Sequence, residues 1–169
     1  MSYPLHIALL TISDTRTREN DTSGDTLEAL VTSAGHNIVA RELIADDMYQ
    51  LRALISAWIA DPNIHCVITT GGTGFSARDS TPEALIPLFD KQIYGFGEVF
   101  RALSLTTIGT STVQSRAFAG IANTTGIFCL PGSTNACKTG WNAILKEQLD
   151  SDHKPCNFIE LFTGKKSES

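Results

Sequence analysis

Between Thr69 and Asp79 the chain reads Thr-Thr-Gly-Gly-Thr-Gly-Phe-Ser-Ala-Arg-Asp, a run rich in groups that can handle a phosphate. Gly71, Gly72 and Gly74 let the backbone turn its N–H groups inward and approach an anion closely. Thr69, Thr70, Thr73 and Ser76 add hydroxyls, and Arg78 offers a neutralising charge. A carboxylate beside such a cradle, here Asp79, makes chemical sense chiefly through a metal. Magnesium is typically held by one or two carboxylates together with the substrate's own phosphates. Spacing alone leaves a plainer reading open, with Asp79 a surface acid at a helix entry, paired with Arg78.

Two familiar phosphate loops do not fit. A Walker loop needs a lysine directly after its last glycine, and none follows here. The dinucleotide pattern G-x-G-x-x-G/A is formally met by Gly72, Gly74 and Ala77, but it requires the helix to start within the glycines. Pro82 pushes Thr81 out of the α region, so the helix opens about eight residues after Gly74. What remains is a longer loop at the carboxyl end of a strand, where open α/β sheets bind ligands. Other strand ends supply companions: Ser13 and Asp14, then Asp46 and Asp47, of which one can simply cap the next helix. Pro131, Gly132 and Ser133 follow the late strand, where Ser133 can cap the last helix and present its amides to an anion.

These residues need strands and helices to bring them together, and the apolar pattern supplies them. His6–Ser13 is a near-continuous apolar run, as expected for a strand covered on both faces. The polar stretch from Asp14 to Asp25 is too polar for core. Leu27, Leu30, Val31 and Ala34 then repeat with helical spacing, and Gly35 supplies a stop. A second strand is expected over His36–Ile44, a helix on Leu51, Leu54, Ile55, Trp58 and Ile59, and a third strand over Ile64–Thr70. Alternating apolar strands and helices imply a three-layer α/β/α sandwich around a mainly parallel sheet. Thr81-Pro82-Glu83 reads as a helix start with Thr81 as the cap, and Pro87 should leave that helix short or kinked. A second short helix is expected over Gly97–Leu105, two strands about a turn over Ala117–Gly132, and a last long helix through Cys137, Trp141, Ile144 and Leu145. The tail from Thr163 is expected to fray.

A chain of 169 residues suits one domain, residues 1–169 with a core over about 5–160. Its net charge of −5 argues against a general nucleic-acid binder. No apolar run approaches the ~18 residues that span a bilayer, and the N-terminus lacks a basic signal-like region, so the cytoplasm is the default. Cys66, Cys129, Cys137 and Cys156 form no close pair, and His6, His36, His65 and His153 are scattered. Neither a thiolate–zinc site nor a histidine-based triad is expected.

The segments TISD, TTGGTG with its following RDSTPEA, GFGEVFR, TSTVQSRAFAGI and LPGST together resemble the MoaB/MogA family of molybdenum cofactor biosynthesis proteins, most closely its MoaB branch, over roughly residues 5–160. The resemblance implies a Rossmann-like α/β/α fold and Mg-ATP-dependent adenylylation of molybdopterin, giving adenylated molybdopterin and pyrophosphate. By the same similarity Gly71, Gly72, Thr73, Gly74 and Arg78 would hold substrate phosphates, and Asp79 and Asp46 would serve magnesium (Mg2+) and catalysis. Ser13, Asp14, Pro131, Gly132 and Ser133 fall where the family binds nucleotide or pterin, with Glu98, Arg101, Ser115 and Arg116 as further carry-overs. Homo-oligomers, trimers or hexamers, are implied as well. Ala45 before Asp46 and the form PGST depart from the proline and PGNP-like forms common among adenylylating relatives. A second class is therefore also implied, a protein that holds molybdopterin or its adenylate without making the bond; retention of both Asp46 and Asp79 favours the enzyme.

Overall fold

The computed structural model describes residues 3–164. The fraying expected of the tail falls largely on residues 165–169, outside that range. Six strands form one sheet: β1 (His6–Ile12), β2 (Asn37–Ile44), β3 (Cys66–Thr70), β4 (Lys91–Gln92), β5 (Phe118–Ala122) and β6 (Thr125–Leu130), in the order β2-β1-β3-β6-β5-β4. β2, β1, β3 and β6 are mutually parallel, whereas β5 runs antiparallel to both of its neighbours. The expected mainly parallel sandwich is therefore present, with an antiparallel margin. That margin begins at the Asn123–Thr124 turn, where both residues adopt positive φ (48° and 65°) and reverse the chain in the tight space between β5 and β6.

Strand alternation sends side chains to two cores. Leu9, Ile68 and Phe128 face α1 (Thr22–Ser33), α4 (Tyr94–Ile108), α5 (Thr134–Gly140) and α7 (Ile159–Thr163). Leu10, Val67 and Ile127 face α2 (Met48–Ala60) and α3 (Thr81–Leu85). α5 runs on through a π turn, Trp141–Leu145, into α6 (Lys146–Gln148), so the last long helix expected here contains a π segment that turns Trp141 and Leu145 into the core.

Three local expectations are corrected. The segment from Asp14 to Asp25 is not wholly outside: Asp21 and Ser23 are buried, because Asp21 caps α1 and is satisfied by Thr11, the Gly24 N–H and Arg41. Thr81 is not the cap of α3, since it lies one residue inside the helix and donates its hydroxyl proton to Gly71 O at 3.1 Å; Ser80 occupies the cap position. The helix expected over Gly97–Leu105 extends to fifteen residues, Tyr94–Ile108, because Phe96 and Phe100 anchor both of its early turns in the core. β2 is an edge strand whose side chains are largely half-exposed, unlike β1 and β3.

Candidate active site

Consecutive strands leave β1 in opposite directions across the sheet, to β2 on one side and β3 on the other, which creates a switch point at their carboxyl ends. A cleft of about 350 Å³ opens there. Its walls come from the end of β1 (Thr11, Ile12, Ser13), the glycine loop after β3 (Thr70 to Gly74, with Asp79) and Pro131–Gly132 after β6. Arg16, Gln114 and Ser115 complete the lining.

The glycine loop needs glycine for specific reasons. Gly71 (φ 109°) and Gly72 (φ 69°) hold backbone conformations that L side chains rarely adopt. A Cβ on Gly71 would strike Ile12 O, and one on Gly72 would overlap Thr81 Oγ1 and lie 2.6 Å from Asp46 Oδ2. The loop is pinned by Gly71 N–H to Leu130 O (3.0 Å), Thr81 N–H to Gly72 O (3.0 Å) and Ser76 N–H to Asp79 Oδ2 (2.8 Å). Among the described residues, none of the loop's hydrogen bonds uses the N–H groups of Gly72, Thr73 or Gly74. Three adjacent donors at a cleft are the makings of an anion cradle.

Acids surround this loop in distinct roles. Asp47 is the helix cap, accepting from the N–H groups of Tyr49 and Gln50, so Asp46 is not needed for that task. Asp46 lies 7% exposed behind Gly72 and accepts from the Ser80 N–H and hydroxyl. Burial raises its pKa above the ordinary carboxylate value; the Ser80 bonds oppose that, and the charges of Asp79 and Asp14 add to it. Asp14 is clasped by Arg78 in a two-pronged ion pair (2.8 and 2.9 Å), which holds its pKa down at about 2. Arg78 therefore pairs with Asp14 and not with Asp79, which disposes of the Arg78–Asp79 surface pair left open by spacing.

The residues singled out from the sequence sort into two rings. Ser13, Gly71, Gly72, Thr73, Gly74, Asp79, Ser115, Pro131 and Gly132 line the cleft. Asp14, Asp46 and Arg78 form a clasp beside it, tied together by Asp46 N–H to Asp14 Oδ1 at 3.1 Å. Ser133 spends its hydroxyl oxygen on capping α5, accepting from Ala136 N–H at 3.1 Å. Arg116 braces the loop from behind, donating to Thr73 O and Gly74 O, pairing with Glu83, and lying 4.8 Å over the Phe75 ring. Arg101 donates to Ala117 O at 2.8 Å and lines a separate groove with Arg116, while Glu98 stands exposed on α4 outside the cleft. Arg16, Thr11 and Gln114 are additions that sequence reasoning missed. Arg16 sits three residues after Ser13 in a strand-end loop, and that position was the available signal.

Three of the four cysteines, Cys66, Cys129 and Cys137, are buried as small hydrophobes. Burial pushes the Cys129 thiol up to about 12 and Cys137 up to about 11, and Cys66 higher still, so all three stay protonated near neutral pH.

A mainly parallel sheet with a glycine loop and acids beside the cleft at its switch point defines an open α/β protein whose cleft lies where such sheets take ligands. Residues 8–151 match the family model described as a probable molybdopterin binding domain, and the chain belongs to that family of molybdenum cofactor biosynthesis proteins. It is 52% identical over 155 residues to molybdenum cofactor biosynthesis protein B of Escherichia coli K12, covering 92% of this chain and 91% of that one. The Bacillus subtilis protein of the same name is 42% identical over 142 residues, covering 83% and 84%. Among solved structures, a molybdenum cofactor biosynthesis protein B superposes with a TM-score of 0.84 at 38% identity, covering 87% of this chain and 92% of that one.

Proposed function

We propose that this chain adenylylates molybdopterin at the expense of Mg-ATP, as a homo-oligomer, trimer or hexamer. The observation that carries the reading is the coincidence of three unused loop N–H groups with two carboxylates, Asp79 in the cleft wall and Asp46 behind Gly72, with which no arginine forms a direct ion pair among the described residues. A pure anion-binding loop gains nothing from two acids next to it, whereas a site for a metal-complexed triphosphate does.

The residues present fit magnesium. Among the described residues no group of three or more His, Cys, Asp or Glu side chains could hold a metal unaided, so the ion would be shared between Asp79, Asp46 and substrate phosphates. Asp14 already has Arg78, while Asp46 is held charged only against burial and two like charges, which a cation would relieve. When bound, magnesium would supply neutralisation of charge on the triphosphate.

The chain's own part is positioning. A phosphate oxygen of molybdopterin forms a bond to the α-phosphorus of ATP, the bond from that phosphorus to the bridging oxygen breaks, and pyrophosphate leaves with its electron pair. The phosphate is ionised at neutral pH, so no general base is required. The Gly72, Thr73 and Gly74 amides would hold phosphate oxygens, and the rigid floor at Thr70 and Gly132 would fix the line of attack.

Steady-state pyrophosphate release tests this. Release should require both molybdopterin and Mg-ATP, and Asp79→Asn should lower it by about a hundredfold or more while molybdopterin affinity stays within a few-fold. One observation favours a second reading, binding without chemistry: Arg16 is the only cation among the described cleft-lining residues, since Arg78 and Arg116 are engaged elsewhere. Tight molybdopterin binding with no pyrophosphate released by the wild type would establish that reading instead.

A further inference from the structure

The cleft lining carries charges of both signs. Asp79 sits in the glycine-loop wall, and Arg16 lines the same cleft from the loop that joins β1 to α1. Arg16 is half-buried, and its backbone N–H is fixed by Ser13 Oγ at 3.1 Å. Among the described residues both hydrogen bonds of its guanidinium are donated by Nη1, to Thr22 Oγ1 at 2.8 Å and Asn20 O at 3.3 Å. Nε and Nη2 remain for a ligand in the cleft that the side chain lines.

The acceptors that hold Nη1 stand at the entry of α1, and that entry is locked from beneath. Asp21, wholly buried, caps the helix through Gly24 N–H, accepts the Thr11 hydroxyl at 2.7 Å and pairs with Arg41 at 3.1 Å. Next to it Ser23 donates to Gly132 O at 3.2 Å, so the same helix entry fixes the opposite floor of the cleft. Gly24 is the residue that allows this closeness, because a Cβ there would collide with Asp21 and lie 2.7 Å from Arg41 Nη2. Thr22 and Asn20 thus place the Arg16 guanidinium from a helix entry that Asp21 and Ser23 hold fixed.

We propose that Arg16 is a phosphate-binding residue of the cleft, gripping a phosphate group of substrate through Nε and Nη2, and that Thr22 is a positioning residue acting through it. The fork geometry of a guanidinium matches two phosphate oxygens. It reaches the cleft from a different loop than Asp79 does. The inference rests on the reading that the substrates carry phosphates, but it does not need the adenylyl-transfer step.

Calorimetric binding to wild type, Arg16→Gln, Arg16→Lys and Thr22→Val tests it, using molybdopterin, its dephosphorylated form and Mg-ATP as separate ligands. Arg16→Gln should weaken binding of a phosphate-bearing ligand about tenfold or more, with Arg16→Lys intermediate and the melting temperature unchanged. The dephosphorylated pterin should bind wild type and Arg16→Gln equally. A loss confined to molybdopterin assigns the gripped phosphate to the pterin, and a loss confined to Mg-ATP assigns it to the nucleotide. Thr22→Val should cost a few-fold, and adding it to Arg16→Gln should cost nothing more, an outcome that a merely structural Thr22 would not give. Unchanged affinity of Arg16→Gln for both phosphate-bearing ligands would overturn the inference, whether or not the protein turns over. Binding without pyrophosphate release would count only against the proposed reaction.

Discussion

Asp46 lies buried and is repelled by Asp79 and Asp14, and these effects outweigh the two hydrogen bonds it accepts from Ser80, so its proton is held more tightly in the folded chain than in the unfolded one. Stability drawn from this group is therefore greatest below the unfolded pKa of 3.8 and declines as pH rises through its raised folded value. Asp46→Asn keeps an acceptor for Ser80 and removes the disfavoured charge. At pH 7 it should melt no lower than wild type while losing adenylylation; a lower melting temperature at pH 7 would contradict this account of Asp46. Asp14 is the opposite case. Its folded pKa of about 2 lies below the unfolded 3.8, so its ion pair with Arg78 contributes above about pH 4 and is lost as pH falls toward 2. Arg78 is exposed, and Asp14→Ala should speed tryptic cleavage after it several-fold at neutral pH, read by mass spectrometry of the fragments. Of these roles the sequence revealed only the residue types. Adjacent Asp46 and Asp47 differ in function because one faces Gly72 and the other the start of α2, a distinction that spacing does not carry.

At the scale of elements, the glycine loop and α3 behave as one unit. Thr81, inside α3, closes back on Gly71 and Gly72, and Arg116 from the segment before β5 grips Thr73 and Gly74. Gly72→Val brings positive-φ strain and a collision with Thr81 and Asp46 at once. It should cost about 1–3 kcal/mol in denaturant melts and abolish measurable phosphate-ligand binding, since the Asp46 carboxylate has to move. Wild-type affinity in this variant would reduce the loop to a turn. The strands were legible in the sequence wherever both faces are covered, as in His6–Ser13 and Ile64–Thr70. The two-residue β4 and the buried cap at Asp21 were not, because a short edge strand has no period to read and a carboxylate satisfied by distant Arg41 looks, in sequence, like any other polar residue.

For the whole molecule, the two hydrophobic layers hold the carboxyl ends of β1, β3 and β6 level with one another, and the cleft exists only because they do. Trp141, 1% exposed in the π turn that continues the helix Ser133 caps, packs in the core beside His36. Trp141→Ala should lower unfolding stability by about 3–5 kcal/mol in a denaturant melt, with the activity of the surviving folded fraction kept within several-fold. Among the described residues no helix is long and apolar enough to cross a membrane. The most direct measurement is a single-turnover reaction of excess protein with molybdopterin and Mg-ATP, followed by mass-resolved chromatography of the pterin. Adenylated molybdopterin formed stoichiometrically by the wild type, and not by Asp79→Asn, is the predicted result. Recovery of unmodified molybdopterin from a complex that demonstrably holds both ligands would contradict the claim that this chain makes the bond.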